Sequence, residues 1–471
     1  MMKPTNTICL ALSLLFAGSL AAQNIAGYWE GKIAVSKQES LTLGIQVEYL
    51  NDTLYIELDS PDQYFTGQPA TDVQFVDSVL SFQVPKFGLS LEGRLSADGH
   101  FLRGTCKQYG KKFDCELTTG AQRKQFLRPQ TPKPPYPYRT EEVNFRDRNG
   151  KMPLINGTLT LPETTPKGVV IFISGSGWQD RDESIFGHRP FAVLADTITK
   201  AGFATYRYDD FPVTIFRKST TLDFAEGVRL IMDSLQQRDD LRGLGFFLIG
   251  HSEGSLVASI VASDDPRVDG TIHLSGVAQP FEEIMLYQTE ALLRAENKLN
   301  EKEIENSVSI NRQIYSIIKK SKSKEECTER ISKLWDELAA QLNKEEIEKY
   351  NMTPDRKFAA LQTFGSDWYF TLFHIDPYKY MKKIKSPVLA ISGDNDLQVE
   401  ATQTEENMLK YMRKSPAVHF ERIERLNHLL QPSVSGNLDE YGKIETTIDP
   451  EVLNIVVKWL NNHCGGIIPM E

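Results

Sequence analysis

A serine set between two glycines is the strongest candidate for chemistry in this chain of 471 residues. Ser252 lies in the pattern G-H-S-E-G at 250–254, after an apolar run at 246–249 and before a helix-compatible run at 256–262. A strand, a sharp turn and a helix form the context that exposes a nucleophilic serine. A Cβ at either glycine would collide with chain that passes close to this turn. The pattern therefore predicts Ser252 as a nucleophile.

A nucleophilic serine needs a base within hydrogen-bond reach and an acid that orients the base. The predicted strand at 388–392 leads into Asp394 and Asp396, and the one at 418–423 is followed by His428. Asp396 is predicted as the acid, because Asp394 would more simply cap the turn. His428 is predicted as the base, and the chain order Ser, Asp, His suits a nucleophile on this kind of strand-turn-helix.

The other histidines are better explained as structural than as the base. One would point away from the nucleophile, and the rest lie in strands, in the tail or in the N-terminal region: His251, His273, His419, His463 and His100. His188 and His374 are candidates to line a pocket, although a structural role is favoured for both.

A second glycine-containing loop precedes the serine. The predicted strand at 168–174 runs into Gly175-Ser176-Gly177-Trp178, where the glycines let backbone N–H groups approach a substrate. The amides of Ser176 and Glu253 are the predicted donors to an oxyanion. A phosphate loop is excluded because neither the Walker spacing nor the dinucleotide fingerprint is present. Candidates to line the pocket, with core packing as the default for the aromatic ones, are Gly177, Trp178, Trp368, Tyr369 and Phe370.

Glu253 would place a carboxylate beside donors that are meant for a developing negative charge. Such a group is unfavourable unless it is paired or turned away. We hypothesise that Arg181 or Arg207 pairs with Glu253, and that Asp180 and Asp182 brace the loop through further hydrogen bonds. A solvated Glu253 is the alternative.

Strands alternate with helices in residues 141–280 and again in 381–471, which predicts a doubly wound, mostly parallel α/β sheet. Between these parts, residues 281–380 are rich in Glu, Lys, Leu and Ile at helical spacing and predict a helical cap insertion. The cap would cover a pocket or form a homo-oligomer, and the sequence leaves both open. The proline-rich residues 127–140 predict an extended connector.

Residues 23–126 contain short alternating strands separated by turns, which predicts an antiparallel barrel or sandwich. A packing or oligomerisation role is favoured for it over ligand binding. Cys106 and Cys115 lie symmetrically about Gly110-Lys111 in a predicted hairpin and would face one another. A disulfide and two free thiols both remain open there.

Residues 1–22 have one lysine, an apolar run and a small-residue end, which is the layout of a secretory signal. Cleavage before Gln23 would give an exported, periplasmic or extracellular protein. The apolar run at 8–17 is too short to span a bilayer, so no membrane insertion is expected. A net charge of −10 argues against a nucleic-acid partner. No metal-ligand spacing is visible, so no metal or other cofactor is expected.

Several motifs, in the same order, resemble those of bacterial α/β-hydrolase esterases with a G-S-G-x-x-D-R-D loop. The matching segments are 175–182, 187–191, 207–210, 250–254, 393–399 and Asn427-His428. The N-terminal region also resembles a small β-domain, with a characteristic stretch at 58–63, that precedes some exported hydrolases. Residues 211–214 and Ser255 depart from the family pattern, in ways that bear on loop shape and helix packing.

The resemblance implies an α/β-hydrolase fold and a carboxylesterase that acts on small or short-acyl esters. Ser252, Asp396 and His428 would act without a cofactor, through an acyl-enzyme, on a small-molecule ester substrate. An acyl-peptidase or amidase with the same triad is the alternative. A binding protein on a decayed hydrolase fold is disfavoured, because the Ser, Asp, His set is intact.

Overall fold

A computed structural model describes residues 24–35, 40–50, 53–108, 110–147 and 149–464, apart from the side chain of Lys86. The chain divides into two compact units between Phe126 and Leu127. The predicted signal at 1–22 lies outside the described residues. Within those ranges, every helix is too short or too polar to cross a bilayer.

The first unit is an antiparallel β-sheet. Its described strands are β1 (Gly27–Ala34), β2 (Ser40–Leu50), β3 (Thr53–Ser60), β4 (Phe65–Pro69), β5 (Thr71–Val76), β6 (Val79–Val84), β7 (Leu89–Leu95), β8 (Phe101–Gln108) and β9 (Lys111–Thr119). In space they run β4-β3-β2-β1-β9-β8-β7-β6-β5, and β3 contacts β5 so that the sheet nearly closes. The expected all-β, barrel-like unit is confirmed.

Apolar side chains at alternate strand positions form the core of this sheet, which includes Trp29. The indole Nε1 of Trp29 donates to the Ile25 carbonyl at 2.9 Å. The strands β4 and β5 carry only a weak apolar pattern, since most of their residues are half-buried or exposed.

The expectation that the two hairpin cysteines face one another is wrong. The hairpin pairs Gln108 with Lys111, so Cys106 lies opposite Phe113 and Cys115 lies opposite Gly104. Both are buried free thiols. Burial raises the pKa of Cys106 to about 11 and that of Cys115 to about 12.

The second unit is built on a mixed sheet. Its described strands are β10 (Arg139–Phe145), β11 (Ile155–Leu161), β12 (Val169–Ile173), β13 (Ala204–Tyr208), β14 (Phe246–His251), β15 (Val268–Leu274), β16 (Val388–Gly393) and β17 (Val418–Ile423). They are ordered β10-β11-β13-β12-β14-β15-β16-β17. The pairs β10–β11 and β11–β13 are antiparallel, and all later pairs are parallel. This is the α/β-hydrolase fold, as predicted.

Helices cover both faces of this sheet, which explains the continuous apolar runs of its central strands. The described helices are α1 (Pro190–Lys200), α2 (Val213–Phe216), α3 (Thr221–Leu235), α4 (Glu253–Ala262), α5 (Phe281–Glu296), α6 (Glu301–Lys320), α7 (Lys324–Ala339), α8 (Lys344–Lys349), α9 (Pro354–Phe364), α10 (Asp367–His374), α11 (Pro377–Met381), α12 (Ala401–Tyr411), α13 (Leu438–Tyr441) and α14 (Pro450–His463). Residues of α3 and α4 share one core and residues of α1 and α14 share the other.

The insertion predicted at 281–380 contains α5 to α10, which pack around a core that includes Trp335 and Phe373. The proline-rich run before β10 is held against the second unit. Arg128 donates to the carbonyls of Phe186 and Gly442 at 2.7 and 2.8 Å, and Gln130 Oε1 accepts from the Thr447 amide at 2.7 Å. The run therefore packs as part of the second unit.

Candidate active site

Ser252 occupies the turn between β14 and α4, with φ 51° and ψ −120°. Positive φ is strained for a non-glycine residue, and the surrounding chain must hold it. A Cβ on Gly250 would lie 2.3 Å from the Gly254 carbonyl carbon, and one on Gly254 would lie 2.1 Å from the Ile173 oxygen. The predicted sharp turn, and the reason for its two glycines, are confirmed.

The structure brings His428 and Asp396 together. The Nδ1 atom of His428 lies 2.8 Å from Oδ2 of Asp396, and both residues are buried. The other oxygen of Asp396 accepts from the amides of Gln398 and Val399 at 2.8 and 2.9 Å. Because an ionised carboxylate only accepts, His428 carries its proton on Nδ1 and keeps a lone pair on Nε2. Asp394, the rejected candidate, forms an ion pair with Arg422.

A cavity of about 450 Å³ lies over these residues and is lined by Ser252 and His428. The cap closes one side of it with apolar side chains from α5 and α10, among them Phe281 and Leu372. A cavity of this volume is usual for a small-molecule site.

The predicted pocket residues divide into two groups. Trp368 and Tyr369 line the cavity, as predicted. Gly177 and Trp178 are not among its lining residues. The Trp178 indole turns away and donates to the Phe211 carbonyl at 3.0 Å. Phe370 also lies outside it and packs on the His374 ring, with 4.4 Å between centroids.

The two predicted oxyanion donors belong to residues that line the same cavity, Ser176 and Glu253. Glu253 is the first residue of α4, and the first amides of a helix have no intrahelical acceptor. The helix dipole adds positive potential at this end. The side chains of the two residues are joined, with Ser176 Oγ donating to Glu253 Oε2 at 2.8 Å.

Both hypotheses for the Glu253 side chain are wrong. It is 5% exposed, so it is not solvated, and neither arginine reaches it. Its carboxyl oxygens accept from Ser176, from Thr221 Oγ1 at 2.7 Å and from Trp368 Nε1 at 3.0 and 3.1 Å. Burial raises the pKa of Glu253, and the three donors oppose that rise.

The two arginines brace the loop instead. Arg181 bonds to Asp209 at 2.7 Å, and Arg207 forms an ion pair with Asp182. Asp180 Oδ1 accepts from the amides of Asp182 and Ser184 at 3.1 and 2.9 Å. The predicted bracing by the two aspartates is therefore present, with partners that the sequence did not identify.

Sequence reasoning missed three ionisable groups at this site. The His251 ring, which was expected to point away from the nucleophile, lines the cavity and bonds to Glu183 Oε1 at 2.9 Å. Asp210 lies behind the oxyanion loop, where burial raises its pKa to about 8. Its oxygens accept from Ser174 Oγ at 3.0 Å and from the Gln179 amide at 2.7 Å. The sequence signal was that Asp210 and His251 lie within recognised motifs and that Glu183 directly follows one.

The remaining pocket candidates are structural. His188 is buried between Thr447 Oγ1 at 2.9 Å and the Tyr441 carbonyl at 3.1 Å, and burial lowers its pKa to about 4. His374 bonds to the Phe370 carbonyl of its own helix. Among the described residues, no group of three or more His, Cys, Asp or Glu is arranged to hold a metal ion.

No family model matches the chain. Esterase EstD of Thermotoga maritima is 23% identical to it over 328 residues, which cover 67% of this chain and 68% of EstD. A solved dienelactone hydrolase of Anabaena variabilis covers 70% of this chain and 100% of its own, with 14% identity and a TM-score of 0.40. An esterase of Pyrococcus furiosus covers 70% and 92%, with 12% identity and a TM-score of 0.41. It is the strand order of the second sheet that identifies the fold.

Proposed function

We propose that this chain is an exported serine carboxylesterase that hydrolyses small or short-acyl carboxylic esters. The observation that carries the proposal is the 2.8 Å bond between His428 and Asp396 beside a serine held at φ 51° in the same cavity. The sequence relative EstD is named an esterase, which supports the same activity. Export rests on the pattern of residues 1–22.

In the first half-reaction, Nε2 of His428 takes the proton of Ser252 Oγ as the oxygen attacks the ester carbonyl carbon. Asp396 stabilises the imidazolium that forms. The carbonyl oxygen gains negative charge, and the amides of Ser176 and Glu253 donate to it. The alcohol then leaves with the proton from His428, and the acyl group stays on Ser252.

In the second half-reaction, His428 takes a proton from water as the water oxygen attacks the acyl carbon. The Ser252 oxygen leaves and regains that proton. The carboxylic acid is released and the free serine is restored, so water is the only co-substrate.

The cavity favours uncharged substrates. In the part of the chain that the structure describes, no lysine or arginine lines it. Its two carboxyl side chains, those of Glu183 and Glu253, are already engaged by protein donors. Apolar side chains from the cap and from the α/β part supply most of the remaining wall, which suits the hydrocarbon parts of an ester.

Labelling with a fluorophosphonate tests the nucleophile directly. We expect the full chain to be labelled and to hydrolyse p-nitrophenyl esters, and the Ser252→Ala variant to lose both. Ser263→Ala is the matched control, because Ser263 follows α4 and bonds to the Ile260 carbonyl outside the cavity. An unlabelled wild-type protein would refute the proposal. A panel of esters of increasing acyl length, run beside acyl-peptide and amide substrates, distinguishes the esterase from an amidase.

A further inference from the structure

A chain of hydrogen bonds connects the oxyanion loop to the loop that carries His428. The Gly175 amide donates to Glu183 Oε1 at 2.7 Å, and the same oxygen lies 2.9 Å from His251 Nδ1. The other nitrogen of His251, Nε2, lies 3.0 Å from the His428 carbonyl oxygen. The four residues lie on three segments: Gly175 and Glu183 on the loop between β12 and α1, His251 at the end of β14, and His428 on the loop after β17.

Both partners of the His251 ring are acceptors, a carboxylate and a backbone carbonyl. A neutral imidazole has one N–H and satisfies only one of them, whereas an imidazolium satisfies both. Burial is the largest single influence and works against the charged ring, but Glu183, the His428 carbonyl and Asp396 together outweigh it and raise the pKa of His251 to about 8. The geometry and the local charge therefore agree on a protonated ring at neutral pH.

The position of this ion pair gives it a role in the proposed reaction. Gly175 precedes Ser176, whose amide is a proposed oxyanion donor, and His251 precedes Ser252. The His251 and His428 rings pack with 5.0 Å between centroids. A Cβ on Gly175 would lie 3.2 Å from Ser252 Cβ and 3.4 Å from both Glu183 Oε1 and His251 Nδ1, so these groups are packed at contact distance.

We propose that Glu183 and protonated His251 form a positioning pair that holds the oxyanion loop and the His428 loop in register around Ser252. The pair touches no reacting atom, and its role rests on the proposed esterase function. When His251 loses its proton, either the bond to Glu183 or the bond to the His428 carbonyl is lost. Turnover should then fall, since displacement of reacting groups by about 1 Å can cost about 100-fold in rate.

Other charged groups face His251 from the elements around it. Glu183 approaches from the loop before α1, Asp396 from the loop after β16, and His428 from the loop after β17. Asp210, after β13, senses the charges of Glu183 and Glu253, and its pKa of about 8 coincides with that of His251. The test must therefore separate His251 from Asp210.

The experiment uses the full chain and compares wild type with His251→Phe, Glu183→Gln and Asp210→Asn. The rate of p-nitrophenyl butyrate hydrolysis is followed from pH 6 to 9.5 at the isosbestic wavelength of the product. His251→Phe keeps an aromatic ring but makes neither bond, so kcat should fall about tenfold or more while KM changes less than about threefold. Glu183→Gln keeps an amide oxygen that accepts from Gly175 and from Nδ1–H of a neutral His251, so only the bond to the His428 carbonyl is lost and no charge remains to hold the second proton.

The pH profiles decide the proposal. Wild-type kcat should decline as pH rises past about 8, where His251 deprotonates. The Glu183→Gln profile should lose that decline, with a smaller loss of kcat than in His251→Phe, and Asp210→Asn should keep the decline. A purely structural role would lower the melting temperature without changing the shape of the profile.

Three results would overturn the proposal: a wild-type profile that is flat above pH 8, a decline that survives in Glu183→Gln, or a decline that vanishes in Asp210→Asn. If His251→Phe does not fold, the other two variants still decide. Fluorophosphonate labelling separates this failure from failure of the esterase function, because unlabelled wild type refutes the enzyme and labelled wild type with one of these profiles refutes only the pair.

Discussion

Replacing Glu253 by leucine removes the shared acceptor of three donors: the buried Thr221 hydroxyl, the half-buried Trp368 indole and the exposed Ser176 hydroxyl. A buried donor without a partner costs about 1–3 kcal/mol. The exposed Ser176 hydroxyl can bond to water, so we count only Thr221 and Trp368, each at the lower end of this range. The free energy of unfolding should therefore fall by about 2 kcal/mol.

Double-mutant cycles test this estimate by denaturant unfolding of the full chain followed by tryptophan fluorescence. Trp368→Phe removes one donor, so it should cost less in the Glu253→Leu background than in wild type. Thr221→Val should behave in the same way. Glu226→Leu on α3 is the matched control, since its exposed carboxylate pairs with Arg229 and a change there should be small.

A Glu253→Leu variant as stable as wild type, or cycles in which the changes simply add, would refute the role of Glu253 as a buried anchor for the cap and the oxyanion loop. Activity gives a second readout. Ser176 and Trp368 line the cavity, so release of their side chains should lower kcat/KM as well as stability.

Three further predictions follow from the same geometry. Asp396→Asn presents an amide donor to His428 Nδ1 and favours the wrong tautomer, so kcat in the ester assay should fall by roughly 10⁴-fold. A loss below tenfold would contradict the triad. The raised pKa of Asp210 means that the folded chain keeps a proton which the unfolded chain releases between pH 3.8 and about 8. Stability from this group is thus lost as pH rises, by up to about 1.4 kcal/mol per pH unit. The melting temperature of Asp210→Asn, measured over the same pH range, should lack that decline. The same pH dependence in wild type and variant would show that Asp210 does not titrate there. Gly254→Ala places a Cβ 2.1 Å from the Ile173 oxygen, so it should destabilise the chain by about 1–3 kcal/mol despite the better helix propensity of alanine. Thermal unfolding measures this, and an unchanged melting temperature would contradict the close approach.

The sequence predicts those parts of the site that are encoded locally. The turn at Ser252 follows from five consecutive residues. Asp396 follows β16, which is recognisable from its apolar run, and His428 follows β17, whose Val, Phe and Ile are separated by polar residues. Because parallel strands end at one edge of the sheet, chain order was enough to place these residues together. The α/β-hydrolase sheet was predictable for the same reason, with strand and helix alternation as its signal.

The sequence does not predict which remote segment supplies a partner. The donors to Glu253 come from the start of α3, from the oxyanion loop and from the cap helix α10, and the last of these lies 115 residues along the chain. Arginine was the simplest guess for a buried carboxylate, but Arg181 and Arg207 are used by Asp209 and Asp182. Likewise the hairpin register at Cys106 depends on turn geometry, where one residue of shift changes which side chains are opposed.

Three carboxyl groups lie around the place where the proposed reaction develops negative charge: Glu183, Asp210 and Glu253. Each is handled in a different way. Glu183 is paired with His251, Asp210 has a pKa of about 8 and stays protonated at neutral pH, and Glu253 accepts from three donors while burial raises its pKa. Three unpaired carboxylates here would oppose an oxyanion, since like charges at short range in a buried site repel strongly. Glu253, beside the nucleophile, thus serves as an acceptor that fixes the loop and the cap, and the arrangement around it limits the negative charge that reaches the amides of Ser176 and Glu253.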